Sequence, residues 1–127
     1  MSESSHALAR AEPLALVAVG GFAGAACRYA LAVALPASFP WGTLAANVLG
    51  SFALGLLLYE AQFASALSPE TRLVVGTGFL SSFTTYSTFA AETVELAPPL
   101  AAANVAANYG LAIVAVLCGR RLARWLS

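Results

Sequence analysis

The sequence predicts an all-α membrane protein with four transmembrane helices. Its 127 residues are 60% hydrophobic and only 9% charged, against about 25% charged in soluble domains. Apolar stretches of bilayer length recur four times, separated by proline-rich or charged joints. A soluble chain this short could not bury so much apolar surface, whereas a lipid-facing chain has no need to. The length fits a single domain, 1–127, with spans at about 14–35, 41–59, 73–91 and 100–118.

The first span runs from about Leu14 to Leu35 and is stopped by Pro36. It is longer than a signal-peptide core, and Arg28 with a further apolar stretch follows the small residues Gly24 to Ala26. It therefore reads as a retained span rather than a cleaved leader. The second, Trp41 to Tyr59, carries an aromatic residue at each end, as membrane interfaces favour. A polar loop from Glu60 to Arg72 follows, in which Ser68-Pro69 reads as a helix start. The third span, Leu73 to Ala91, is closed by Glu92, Glu95 and the Pro98-Pro99 pair. The fourth runs from Leu100 to Cys118 and leads into an arginine-rich tail. Small residues recur in spans two and four, where they let helices approach closely in lipid.

The third span stands apart. Between Ser81 and Thr88 it holds six hydroxyl residues besides Tyr86. Such side chains compete for main-chain hydrogen bonds and weaken a helix. Two outcomes are open: a helix broken within the membrane, or a continuous helix whose hydroxyls bond back to their own turn. In lipid a break survives only where protein or a water-filled cavity satisfies the freed backbone, and such breaks form ion sites in transporters.

Polar residues within spans are costly and point to function. Arg28 lies about 21 Å into a core about 30 Å thick. It either snorkels to the far interface or faces an aqueous vestibule that draws anions. Asn47, with Ser51 on the same face, and Asn104 with Asn108 supply neutral N–H donors or serve to bind helices together. Neutral donors suit an anion that must also be released. Phe79, Phe83, Tyr86 and Phe89 form a stripe at helical spacing, fit for packing or for presenting ring edges to a small anion.

Several classes drop out. The basic residues are only six, all arginine, too few for the basic face that nucleic acid requires. Cys27 and Cys118 lie in apolar runs without metal spacing, and the single histidine, His6, is in the N-terminal tail. No nucleophile–base pair, metal cluster or phosphate loop is present, so an enzyme is not expected. A small proton-coupled multidrug exporter would need a carboxylate within a span, and the acidic residues all flank the spans or lie in the tail. A non-transporting assembly subunit would have no use for the hydroxyl run and the intramembrane asparagines.

Four stretches together resemble the Fluc fluoride channels, or CrcB family, over nearly the whole chain: Gly20 to Tyr29, Gly42 to Phe52, Gly78 to Phe89, and the polar start of span four. The Thr84 to Phe89 run, Thr-Thr-aromatic-Ser-Thr-Phe, is the most specific, with Gly42-Thr43 and Asn47 at matching spacing. The resemblance implies passive export of cytoplasmic fluoride across a bacterial plasma or inner membrane by a multi-pass protein. It implies an antiparallel, dual-topology dimer of four-helix subunits, whose partner is a second copy or an oppositely oriented paralogue. It implies a third helix broken at mid-membrane, with a sodium ion held by the main-chain carbonyls of Ser81 and Thr84. Carried over by position, the fluoride pore comprises Asn47, Thr85, Tyr86, Thr88, Phe89 and Arg28, with a fourth-helix track at Asn104 and Asn108. The sequence departs from the family in having Tyr86 where phenylalanine is usual, asparagines where the track has Tyr and Ser, and serines where glycines are usual near Ser81 and Ser82.

Overall fold

A computed structural model describes residues 3–58 and 65–127, and among these every regular element is helical. Helix α1, Glu3–Ala34, starts well before the expected span. The segment Ala7 to Glu12 is rich in alanine, leucine and other strong helix formers, so the helix runs on past the end of the apolar stretch. Its last main-chain bond, Leu35 N–H to Leu31 C=O at 3.1 Å, comes just before Pro36. A short turn leads to α2, Trp41–Leu58. Gly42 allows the turn: a Cβ there would lie 2.7 Å from Ala32 Cα. Tyr59 and Glu60, the expected end of this span and start of its loop, lie outside the described residues.

The third span begins as expected. Ser68 Oγ accepts from Thr71 N–H at 3.1 Å, and Pro69 occupies the first turn. Helix α3 (69–83) is α-helical at Pro69–Thr71, π-helical at Arg72–Leu80, and α-helical again at Ser81–Phe83. The π stretch is a departure from the expected plain helix. At its end Ser81 Oγ donates to the Gly78 carbonyl at 3.2 Å and to that of Thr77, occupying carbonyls where the winding changes. The chain then leaves helical geometry at Thr84, with φ −79° and ψ 154°. It resumes as α4, Ser87–Glu95. Of the two outcomes the sequence leaves open, the helix is broken.

Helix α5, Pro98–Leu126, is longer than the expected span at both ends. Pro98 and Pro99 occupy its first turn, where a missing N–H costs nothing. Its arginine-rich end stays helical because Arg, Leu and Ala are good helix formers.

Helix α1 packs chiefly on α3, and α2 on α5. Both pairs are glycine-mediated. A methyl on Gly20 or Gly24 would overlap the carbonyls of Val74 or Phe79, and one on Gly55 or Gly119 those of Val116 or Phe52. The buried set is small: Leu44, Ala46, Leu80, Phe83, Phe89, Ala115 and Ala123, together with the polar Thr43, Asn104 and Asn108. Large apolar side chains such as Phe22, Val19, Ile113 and Val114 face outward instead. Glu3–Ala34 and Pro98–Leu126 are each long and apolar enough to cross a bilayer, and Trp41–Leu57 is a shorter apolar helix.

Candidate functional site

The site is built around the gap between α3 and α4. Breaking a helix frees N–H and C=O groups that must find partners. Leu80 C=O is taken by Thr84 N–H at 3.1 Å and by Thr84 Oγ1 at 2.9 Å. Arg28 reaches across from α1, and its Nε donates to Ser82 C=O at 3.1 Å. Asn47 on α2 grips Thr85 from both sides. Its Oδ1 accepts from Thr85 N–H at 2.8 Å, and its Nδ2 donates to Thr85 C=O at 3.0 Å. Thr85 Oγ1 in turn accepts from Thr88 N–H at 3.1 Å, satisfying a donor in the first turn of α4. No described residue donates a hydrogen bond to the carbonyls of Ser81 or Thr84.

Asn47 also links this gap to α5. Its Nδ2 donates to Asn108 Oδ1 at 3.0 Å. Asn108 Nδ2 donates to both Oδ1 and the main-chain carbonyl of Asn104, each at 3.0 Å. Asn104 Nδ2 donates to Thr93 Oγ1 at 2.8 Å, and Thr93 Oγ1 to Phe89 C=O at 2.6 Å. Buried polar groups require this degree of pairing: Asn104 is 0% exposed and Asn108 6%.

An open cavity of about 550 Å³ lies beside the gap. Asn47, Ser51, Ser81, Thr84, Thr85 and Asn108 bring polar groups to a lining that is otherwise apolar, with Leu54, Leu80 and Ala112 among it. Three aromatics frame one end. The Tyr86 and Phe89 rings are 5.7 Å apart, and Phe89 meets Tyr109 edge to face at 6.0 Å. Tyr86 is 71% exposed and Phe89 6%. Phe79 and Phe83 stack on each other at 5.4 Å and lie off the cavity.

The expected residues thus fall into two groups. Asn47, Thr85, Tyr86, Phe89 and Asn108 line the cavity, as do Ser81 and Thr84. Arg28, Thr88 and Asn104 are not part of its lining. Thr93 and Tyr109 were missed by sequence reasoning. Thr93 follows Phe89 by one helical turn, and Tyr109 adjoins Asn108, but neither spacing is distinctive by itself.

Such a fold defines a class: a helical membrane protein whose interrupted helix lies beside a groove lined by amide, hydroxyl and apolar side chains. The chain belongs to the family described as CrcB-like protein, Camphor Resistance (CrcB), whose model it matches over residues 15–120. It is 60% identical over 114 residues to fluoride-specific ion channel FluC 1 of Natronomonas pharaonis, covering 90% of this chain and 96% of that one. It is 51% identical over 120 residues to FluC 1 of Haloarcula marismortui, with 94% and 92% covered. It is 54% identical over 114 residues to FluC 2 of Halobacterium salinarum, with 89% and 88% covered.

Proposed function

We propose that the chain is a fluoride-selective channel giving cytoplasmic fluoride a passive exit across the cell membrane. The observation that carries this is 60% identity to a protein named as a fluoride-specific channel over 96% of that protein's length. The groove suits anion passage, because the polar groups in its lining are amides and hydroxyls, which can exchange partners with a small anion without the formal charge that would trap it. Fluoride enters cells as the uncharged acid and dissociates inside, so the stranded anion needs only a pore.

The groove lies open along one side of the subunit, and polar backbone facing lipid is costly. A second copy in the opposite orientation, or an oppositely oriented paralogue, closes it into a pore of two four-span subunits. Ser81 and Thr84 offer main-chain carbonyls that no donor among the described residues occupies, a ligand set suited to a hard cation such as sodium. A sodium ion there would neutralise the carbonyl dipoles gathered at the gap. Replacing sodium by a large organic cation is expected to lower flux or dimer stability; full indifference of both rejects the ion.

Reconstitution tests the main reading. Liposomes carrying the purified protein, with its paralogue if one exists, are expected to release fluoride far faster than chloride. Equal rates for the two anions reject it.

A further inference from the structure

Two main-chain groups fix which way every amide in the asparagine relay points. Thr85 N–H can only donate, so Asn47 must turn Oδ1 towards it and Nδ2 towards Asn108. The Asn104 carbonyl can only accept, so Asn108 must turn Nδ2 towards it and Oδ1 towards Asn47. With both N–H groups of Asn47 committed, one to Thr85 C=O and one to Asn108 Oδ1, its amide holds no free donor. An anion in the groove must therefore displace an acceptor that is already there. Thr85 C=O is the harder to displace, because its loss would orphan a carbonyl at the helix gap. Asn108 Oδ1 lines the same cavity and is the easier.

We propose that Asn108 sets the anion affinity of the groove by acting as the resident acceptor for Asn47, a placeholder that an entering anion displaces and that reclaims the N–H when the anion leaves. The proposal rests on reading the chain as a fluoride channel. It makes Asn108 a positioning and competing residue, not a donor to the anion, since its own N–H groups are held by Asn104. Competition of this kind keeps the site satisfied when empty and loosens its hold when occupied, as conduction requires. Asn104 holds the placeholder through both its main-chain carbonyl and its side-chain Oδ1, each at 3.0 Å.

The test is fluoride flux from liposomes as a function of fluoride concentration for the wild type, Asn108→Leu, Asn108→Ser and Gly110→Ala. Leucine removes the competing acceptor at similar size, and serine draws it back towards the helix. Both are expected to lower the half-saturating fluoride concentration about three- to tenfold, the factor that one net hydrogen bond is worth, with a reduced maximal rate. Gly110→Ala, on the same helix where an added methyl meets nothing within 4 Å, is expected to leave half-saturation unchanged. Should Asn108→Leu not assemble, Asn108→Ser alone decides. A half-saturation that stays at the wild-type value in the Asn108 variants overturns the proposal, as does an equal fall in Gly110→Ala, which would report general loosening. A wild type that passes no fluoride instead defeats the channel reading itself, so the two failures are distinct.

Discussion

Asn47 commits its whole amide to Thr85 and Asn108, on segments 38 and 61 residues away. Asn47→Leu would leave Thr85 N–H, Thr85 C=O and Asn108 Oδ1 unpaired, at about 1–3 kcal/mol for each buried group. The expected result is loss of fluoride flux together with a lower unfolding temperature, read by flux assay and by heating the solubilised protein before size-exclusion chromatography. A variant as stable as the wild type would show that the gap does not depend on this clamp. The aromatics separate by surroundings. Phe89 is buried between Tyr86 and Tyr109, so Phe89→Ile removes both ring contacts and is expected to slow flux severely while the protein still assembles. Tyr86→Phe keeps the ring edge and is expected to conduct within about twofold of wild type. Normal flux in Phe89→Ile would reduce the stripe to packing. These residues were legible because an amide, a hydroxyl run or an aromatic stripe stands out in an apolar span. Their partners were not, since a local pattern carries no record of which distant amide a side chain will meet. Asn104 and Asn108 read from the sequence as neutral donors or as ties between helices, and only their partners show that their N–H groups are committed within the relay.

The helices rest on glycine contacts that differ sharply in tolerance. A Cβ on Gly24 would run into the main chain of Phe79, which cannot move aside, whereas around Gly110 nothing lies within 4 Å. Gly24→Ala is expected to separate α1 from α3 at a cost of about 1–3 kcal/mol, visible as a lower yield of folded protein and a lower unfolding temperature. Gly110→Ala is the matched control, expected to be neutral within the subunit. Equal behaviour of the two would remove the close approach from the account of stability. The Ser68 cap and the place of the break were open to sequence reasoning, because capping chemistry and dense hydroxyls are local properties. The helix ends beyond the bilayer-length stretches were not, since hydropathy marks where a span is apolar and not where its helix stops. The π winding of 72–80 also escaped. No residue type demands it, and it depends on Gly78 seating against Val17 and Gly20 of α1 and on the Ser81 hydroxyl beneath it.

At the scale of the molecule, charge distribution and assembly pull against each other. In the four-span reading, Arg10, Arg72, Arg120, Arg121 and Arg124 share one side, and Arg28 is the only basic residue left for the other. The positive-inside rule favours one orientation from such a bias, while an antiparallel homodimer needs both. A single cysteine added at the C-terminus, with Cys27 and Cys118 replaced, is expected to be labelled from each side of intact cells in comparable amounts. Labelling from the cytoplasmic side alone would direct the search to a paralogue. The clamp on Thr85 bears as well on how the protein is made. A segment of residues 69–95 entering lipid by itself has no partner for the Thr85 N–H and C=O, and closing the gap into continuous helix is its cheapest way to satisfy them. The interruption is then installed after insertion, when α2 docks and Asn47 takes over both groups. Biogenesis in this view has a late maturation step, and a newly synthesised subunit crosses the membrane before it has anywhere for an ion to sit.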